Sequence, residues 1–416
     1  MAKTIAINPS WYWPDDVPRL LGVPPMFCDR LMAERWSRRR PETVAVVDGN
    51  GAVTYAELWS RIQVVADALR RRGDTGERLA LVGPGGVDGV VAFLGALAAR
   101  WRPMLLDPRS QAAAEAATTV GARLAVVQPP AQAPAGVEAV ELGELVQDAT
   151  TGSGALAPHD ADAVRDVHEP AVDLVTADGW AAGHSHYSLV SGALSMAAFL
   201  ALERAEAWLC AMPLWTWEGL YSTLVPLYTG GTAVICPPEG ATDRVADLID
   251  DHQVAYALAP FEILRDLSRG RPRRLADSLK RNLHGLMLST DSPFAASDRR
   301  KARKALDVPI LTVFGLTETG PILASHPSWY VDESVGIPVT NVEVQPANPQ
   351  TDEPLDTNWE LLDYATMVIR APQLMAGYEG AAAHDERLAS RLQERWFKTW
   401  ALASFDANGM MYLVEG

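Results

Sequence analysis

The stretch that most constrains the fold is residues 308–321. Its first half is an apolar, β-branched run, a pattern typical of a strand buried in a parallel sheet. At Gly315 the run breaks into a turn, and ligands of open α/β sheets bind where such turns follow the carboxyl ends of strands. Two interpretations stay open. Either Thr317 holds a phosphate oxygen and Glu318 holds Mg²⁺, or Thr317 or Thr319 caps a helix that has Glu318 in its first turn.

The composition limits the classes of partner. The chain has 416 residues and a formal net charge of −16. Because such a protein repels phosphate backbones and anionic lipid surfaces, we expect neither nucleic acid nor a membrane as partner. Cys28, Cys210 and Cys236 have no metal-ligand spacing, so the sequence predicts neither a disulfide framework nor a zinc site. The start has no apolar signal-peptide core and no run has transmembrane length, which predicts a cytoplasmic protein.

Strand patterns alternate with helical patterns along most of the chain. This alternation is typical of a parallel sheet covered by helices, and it occurs twice, before and after a loop-rich connection at residues 129–170. Shorter alternating strands follow near the end of the chain. We therefore predict an α/β protein with two layered subdomains, each built on a parallel sheet, and a small β-rich subdomain. The predicted boundaries are 1–170 (with an N-terminal arm), 171–330 and 331–416.

Six short segments resemble, in their order and spacing, the motifs of the adenylate-forming superfamily. This superfamily contains acyl- and aryl-CoA ligases, the adenylation domains of nonribosomal peptide synthetases and beetle luciferases. The segments are residues 53–58, 212–214 with 219–220, 230–232, 314–321, 335–338 and 373–378. The resemblance implies the fold of the N-terminal, AMP-binding domain of an acyl-CoA ligase, with Thr317 on a nucleotide and Glu318 on Mg²⁺. The chain stops where the family's hinge begins, so we expect the mobile C-terminal domain, about 100 residues long, to be absent.

The segment that matches the family's phosphate loop, residues 176–186, is altered. It has no lysine and looks a few residues too short to cradle the β- and γ-phosphates. It also contains Asp178, whose carboxylate would repel a triphosphate. The alternative interpretation is a tight turn at Asp178 and Gly179 with no ligand. Both interpretations predict a poor triphosphate site, and they leave His184 and His186 as candidate catalytic groups.

Residues 213–220 resemble the turn that lines the acyl pocket of acyl- and aryl-CoA ligases. We expect Trp215, Thr216 and Trp217 to contact the substrate. Glu218 lies beside indole rings in this pattern, which predicts a raised carboxyl pKa and a role as general acid or base. The alternative is that the two tryptophans are core residues and that Glu218 caps the next helix.

Two further nucleotide positions of the family are replaced. Polar residues including Asp291 stand where the family's adenine-facing glycines would be, so Asp291, like Gly315, is a candidate substrate-binding residue; an ordinary capped turn is the alternative. The family's ribose-binding T-G-D matches a segment in which Trp400 and Ala401 replace glycine and aspartate. Losing such a charge-assisted pair costs about 2–3 kcal/mol. We therefore predict no cofactor, with ATP and Mg²⁺ disfavoured.

Three functions stay open for a chain with these replacements. The first, which we favour, is a repurposed enzyme that binds an acyl or aryl group as a thioester on CoA or on an acyl or peptidyl carrier protein. It would catalyse an ATP-independent acyl transfer, cyclisation or hydrolysis in a specialised biosynthetic pathway, using Glu218, His184 or His186. The second is a residual ligase that forms an acyl adenylate weakly, or with a C-terminal domain supplied in trans. The third is a non-catalytic scaffold.

Overall fold

The computed structural model describes residues 13–129, 131–145, 166–202, 205–236, 241–270, 283–289, 296–355, 362–406 and 409–414. The helices are α1 (Arg35–Arg39), α2 (Tyr55–Arg72), α3 (Gly86–Ala99), α4 (Gln111–Thr119), α5 (His186–Phe199), α6 (Trp217–Thr229), α7 (Ala241–Asp251), α8 (Phe261–Gly270), α9 (Ala296–Leu306) and α10 (Glu386–Ala389), with a π-helix at Arg30–Glu34 and a 3-10 helix at Gly380–His384. The strands are β1 (Val44–Asp48), β2 (Gly51–Thr54), β3 (Arg78–Val82), β4 (Arg102–Leu106), β5 (Leu124–Val127), β6 (Glu138–Glu141), β7 (Pro170–Val175), β8 (Ala181–Ser185), β9 (Ala207–Cys210), β10 (Thr232–Ile235), β11 (Val254–Leu258), β12 (Gly285–Ser289), β13 (Ile310–Leu316), β14 (Gly320–Ala324), β15 (Ile337–Pro338), β16 (Glu343–Ala347), β17 (Leu362–Arg370), β18 (Gly377–Glu379), β19 (Leu392–Gln393), β20 (Trp396–Phe405) and β21 (Met411–Leu413).

The first sheet has seven strands in the order β18-β8-β7-β4-β3-β5-β6. The pairs from β7 to β6 are parallel, whereas β8 runs antiparallel to both β7 and β18. Strands β3, β4 and β5 are buried along almost their whole length, as expected for strands covered on both faces. A strand from the last hundred residues, β18, therefore completes an edge of the first sheet.

The second sheet has nine strands in the order β15-β14-β13-β12-β11-β9-β10-β1-β2. Its central strands, from β13 to β1, are parallel, and antiparallel strands flank them at both ends. Strand β1 comes from the start of the chain and pairs with β10. The first 170 residues therefore contribute strands to both large sheets, and the boundaries at residues 170 and 330 stay predictions.

A smaller antiparallel sheet lies in the last part of the chain. Its order is β16-β17-β20-β19, and β21 pairs with β20. The inner faces of these strands carry Met367, Ile369, Phe397 and Phe405, all buried. The α/β fold with two parallel-sheet layers and a small β-rich unit is the architecture that the sequence predicts.

Two helices join the layers at the centre of the molecule. Helix α2 begins with a capping box: the Thr54 side chain accepts from the Glu57 N–H, and the Glu57 carboxylate accepts from the Thr54 N–H. Its apolar residues recur at helical spacing and are buried against α3. Almost every residue of α3 is buried, because this helix contacts β3 and β4 of the first sheet and β1 of the second.

Within the described ranges, no helix is long and apolar enough to cross a membrane. The same ranges contain no group of three or more His, Cys, Asp or Glu side chains arranged to hold a metal ion. Cys28, Cys210 and Cys236 are buried, and none of the three forms a disulfide bond.

Candidate active site

The turn after β13 joins two strands. The chain leaves β13 at Leu316 and returns antiparallel as β14 from Gly320. The Thr319 hydroxyl accepts from the Leu316 N–H at 3.0 Å and donates to the Gly320 carbonyl at 2.8 Å. Gly320 has a φ of +61°, and a Cβ there would overlap the ring of Tyr221. The alternative in which Thr317 or Thr319 caps a helix is therefore wrong: the segment is a hairpin turn.

Gly315 allows the Trp217 indole to lie against this turn. A Cβ built on Gly315 would lie 3.0 Å from Cη2 of Trp217 and 2.3 Å from the Gly320 carbonyl oxygen. A larger residue would force the indole and the hairpin apart. Trp217 is 6% exposed and packs in the main core, so it supports the turn more than it lines an open pocket.

The Glu318 carboxylate is buried and already bound by protein donors. Its side chain is 6% exposed, and Oε1 accepts from Arg391 Nη1 at 2.5 Å and from the Tyr378 hydroxyl at 2.7 Å. The Glu318 carbonyl accepts from the Met375 N–H at 2.9 Å. Burial, and next the negative charge of Glu318, raise the pKa of Tyr378, so its hydroxyl stays a donor. The carboxylate predicted to hold Mg²⁺ is thus paired with an internal cation.

Arg391 is held on several sides. Its Nε donates to the Lys398 carbonyl at 3.1 Å. Its guanidinium carbon lies 4.2 Å from the ring centroid of Trp400 and 4.4 Å from that of Phe397. Trp400 keeps a φ of +59°, a left-handed conformation that suits the glycine expected at this position. Trp400 therefore has the backbone conformation that suits the glycine of the family motif, and its ring packs on the Arg391 guanidinium.

The segment predicted as a phosphate loop is a closed hairpin between β7 and β8. The Thr176 N–H donates to the Trp180 carbonyl at 2.9 Å, and the Gly179 N–H donates to the Thr176 carbonyl at 2.9 Å. The Trp180 N–H donates to the Thr176 hydroxyl at 3.0 Å. Asp178 is exposed at the tip. Because these N–H groups bond within the hairpin, they are not available to cradle phosphates, in agreement with the predicted tight turn.

His184 is fully buried and reaches the hairpin after β13. Its Nε2 lies 2.8 Å from the Thr317 carbonyl oxygen. Since a carbonyl can only accept, Nε2 carries the proton. Burial lowers the pKa of His184 to about 4, so the ring is neutral at pH 7. The structure therefore places His184 as a donor that fixes Thr317, with its side chain directed at a backbone atom.

His186 faces a different part of the molecule. It is the first residue of α5, and its Nδ1 accepts from the Cys28 N–H at 3.3 Å. Its ring meets Phe27 edge to face at 4.9 Å, beside a cavity of about 280 Å³. Burial lowers its pKa to about 4. The partners of His186 come from the N-terminal arm, whereas those of His184 come from the β13–β14 turn.

Glu218 lies inside the first turn of α6 and is 4% exposed. The Ser289 hydroxyl, at the end of β12, donates to Glu218 Oε1 at 2.8 Å. The cap of this helix is Thr216, whose hydroxyl accepts from the Gly219 N–H at 3.1 Å and donates to the Pro213 carbonyl at 2.9 Å. Thr216, which was predicted to bind substrate, therefore caps this helix. The Glu218 side chain instead contacts Ser289 at the end of the neighbouring strand β12.

Trp215 lines a cavity of about 690 Å³. The cavity lies where β3, β4 and β5 of the first sheet and β9 and β10 of the second reach their carboxyl ends. Its walls include Pro84, Pro108, Met212 and Leu214, and Arg244 reaches it from α7. The sequence predicted that Trp215 would contact a substrate, and its side chain does border a cavity of suitable size for a small molecule.

Comparisons with known proteins agree with this architecture. A model of the family described as "AMP-binding enzyme" matches residues 33–178 and 181–379. The chain belongs to this family. The 2-succinylbenzoate–CoA ligase of Bacillus velezensis is 27% identical over 237 residues, which are 56% of this chain and 44% of that ligase. The matched region thus spans less than half of the ligase's length.

Solved structures of other proteins share the fold. The N-terminal domain of FACL13 from Mycobacterium tuberculosis is 19% identical, with a TM-score of 0.80 over 94% of this chain and 100% of that chain. The o-succinylbenzoate coenzyme A synthetase of Bacillus subtilis, in complex with ATP and a magnesium ion, is 17% identical, with a TM-score of 0.78 over 93% of this chain and 79% of that chain. At these identities the likeness concerns the fold alone.

ATP and Mg²⁺, which the family implies, do not fit the described residues of this AMP-binding family member. The Glu318 carboxylate is paired with Arg391, and the Thr317 carbonyl accepts from His184. The N–H groups of Thr176, Gly179 and Trp180 donate to oxygen atoms of the same hairpin. Ala401 has no carboxylate for a ribose.

Sequence reasoning did not find three residues of this site. They are Arg391, Tyr378 and Trp180. Arg391 and Tyr378 bond to each other and to the Glu318 carboxylate, and the Trp180 ring lies edge-on to Tyr378 at 6.2 Å. Tyr378 belongs to a segment that carries the family resemblance, which was its only signal. Asp291 lies outside the described residues, so its predicted role stays a prediction.

Proposed function

We propose that this AMP-binding family member binds an acyl or aryl group as a thioester, on CoA or on a carrier protein, and catalyses a step that needs no ATP. The observation that carries this proposal is the closed hairpin at residues 176–180, in which the N–H groups of Thr176, Gly179 and Trp180 bond inside the hairpin. A ligase that activates a carboxylic acid with ATP needs donors for the departing phosphates. A thioester is already activated, so its acyl transfer, cyclisation or hydrolysis needs no such donors.

The cavity beside Trp215 supports a thioester as the ligand. Its volume of about 690 Å³ lies in the range of small-molecule sites. Most of its walls are apolar, with prolines, Met212, Leu214 and the Trp215 indole available to an acyl chain or an aromatic ring. Arg244 supplies a cation for an anionic group at the same site. These features match a ligand with an apolar body and a charged end.

Glu218 is the acid–base group that we assign to the reaction. It is a buried carboxylate at the start of α6, next to the segment that carries Trp215, and it accepts a hydrogen bond from Ser289. A carboxylate in this setting can take a proton from a water or hydroxyl that attacks a thioester. His184 and His186 are neutral at pH 7 and hold backbone atoms, so we assign them to positioning.

The first experiment titrates the purified chain calorimetrically with Mg-ATP, with AMP and with benzoyl-CoA. We expect heat from the thioester and none from either nucleotide. Release of free CoA from benzoyl-CoA is then followed with and without ATP. We expect turnover that ATP does not change. Micromolar binding of Mg-ATP would contradict the proposal, because it would require a phosphate site that the hairpin lacks.

A Glu218→Gln variant tests the chemical role. Losing a general base lowers kcat by about 100-fold or more, while thioester binding should change little. The matched control is Glu262→Gln, which removes an exposed glutamate from the first turn of the neighbouring helix α8. Equal rates for both variants and the wild type, at unchanged melting temperature, would remove Glu218 from the mechanism.

A residual ligase is the second candidate, and one observation favours it. The turn after β13 keeps a defined shape through the His184–Thr317 bond, and the Thr317 side chain is half-buried rather than filling the core. The curated relatives include ligases that join acids to CoA. Acid-dependent release of pyrophosphate from ATP, lost in Glu318→Gln, would support this candidate against the ATP-independent one.

A further inference from the structure

The cation at the β13–β14 turn is a protein side chain. Glu318 and Arg391 are both about nine-tenths buried or more, and they form an ion pair inside the fold. A buried carboxylate is unfavourable unless a cation or several donors compensate it. In this chain the compensation comes from Arg391 and from the Tyr378 hydroxyl, which donates to the same carboxylate oxygen.

The position of Arg391 is fixed independently of Glu318. Its Nε and Nη2 donate to the carbonyls of Lys398 and Thr399, at 3.1 and 3.4 Å. The faces of its guanidinium meet the rings of Phe397 and Trp400. A guanidinium does not lose its proton in the physiological range, so this positive charge is permanent. Unlike a bound ion, it cannot exchange with solvent.

We propose that Arg391 is a resident cation that takes the place of a divalent metal ion at Glu318. The folded chain then binds no Mg²⁺ at this turn, and removal of the guanidinium would turn Glu318 into a carboxylate able to accept one. The proposal goes beyond the proposed function, because it holds whichever substrate occupies the cavity beside Trp215. The proposal can be told apart from an ordinary buried ion pair. If Glu318 and Arg391 formed only such a pair, Arg391→Ala would lose stability but would gain no metal binding.

The decisive measurement is Mn²⁺ binding, followed by the loss of the free-ion signal in electron paramagnetic resonance. In the wild-type chain we expect no site that depends on Glu318, so Glu318→Gln should leave the titration unchanged. In Arg391→Ala we expect one additional Mn²⁺ per chain. In the double variant, Arg391→Ala with Glu318→Gln, that site should be lost. Arg370→Ala is the matched control, because it breaks an exposed arginine–glutamate pair with Glu343 and should gain no Mn²⁺.

Thermal unfolding gives a second readout. We expect Arg391→Ala to melt several degrees below the wild type in EDTA and to recover part of this loss in millimolar MgCl₂, against KCl of equal ionic strength. Wild type and the double variant should not respond to Mg²⁺. A wild-type Mn²⁺ site that disappears in Glu318→Gln would overturn the proposal even if Arg391→Ala fails to fold. A folded Arg391→Ala with no added site would overturn it as well.

Discussion

Burial fixes the protonation state of single side chains in this protein. His184 has an ordinary pKa of 6.5 when exposed and a pKa of about 4 in the folded chain, because burial disfavours its charged form. As the pH falls from 6.5 towards 4, the unfolded chain takes up a proton that the folded chain does not. The stability that the neutral ring contributes is therefore complete above pH 6.5 and is lost as the solution becomes more acidic.

We predict that the free energy of unfolding falls between pH 7 and pH 5 by about 2 kcal/mol for His184 alone. His184→Gln keeps a donor for the Thr317 carbonyl but removes the titration, so its stability should depend less on pH over this range. Urea unfolding at several pH values measures the slope. His168→Gln, at an exposed histidine, is measured alongside as the control for replacing an imidazole by an amide. An unchanged slope in His184→Gln would contradict the assignment.

The hairpin between β7 and β8 is fixed by the packing of its tip as well as by its own hydrogen bonds. Gly179 has a φ of +83°, and a Cβ there would lie 3.0 Å from both Cβ and the carbonyl oxygen of Ala112 in α4. The tip therefore packs on a helix of the first sheet's outer layer. This contact holds the tip of the hairpin against α4.

We predict that Gly179→Ala lowers the free energy of unfolding by about 2–3 kcal/mol, since it adds a steric clash to the cost of a left-handed alanine. Gly121 offers a matched control: its φ is +78°, but a Cβ there meets nothing within 4 Å. Gly121→Ala should therefore cost only about 1 kcal/mol. Chemical denaturation of both variants measures the difference, and equal losses would argue that the Ala112 contact does not constrain the tip.

Local patterns predicted the elements better than they predicted the site. The buried run before Gly315 predicted a strand there, and β13 confirms it, because strand periodicity and apolar character are local properties. The strand continues through Gly315 to Leu316, two residues beyond the predicted break. The pairing of Glu318 with Arg391 could not be predicted from local patterns, because the two residues are 73 positions apart. A local pattern does not identify the distant residue with which a charged side chain will pair. The hairpin after β13 was open to a helix-cap interpretation because threonine and glutamate suit both structures.

A charge network joins the last part of the chain to the first sheet. Glu379, in β18, accepts from Arg78 at 2.7 Å and from Arg102 at 2.8 Å. Both arginines also pair with Asp173, whose side chain is fully buried in β7. Burial raises the pKa of Asp173, and the two arginines oppose this shift. The network therefore holds an edge strand, β18, beside strands that come some two hundred residues or more earlier.

We predict that Glu379→Gln lowers the free energy of unfolding by about 2 kcal/mol, because two arginines lose a charged acceptor in a partly buried position. Amide hydrogen exchange should rise most in β18. The matched control, Glu343→Gln, removes an exposed partner of Arg370 and should cost less than about 0.5 kcal/mol. A loss of the same size in both variants would mean that burial does not distinguish the two pairs.

The pairing of β1 with β10 also affects how the protein is made. Strand β1 leaves the ribosome about 190 residues before β10, its parallel partner, has been synthesised. At ordinary translation rates this interval lasts roughly 10–40 s. During that time Ala45, Val46 and Val47, which are buried in the finished sheet, have only the β2 side covered. The nascent chain therefore presents an apolar strand with one unpaired edge for many seconds before its parallel partner exists.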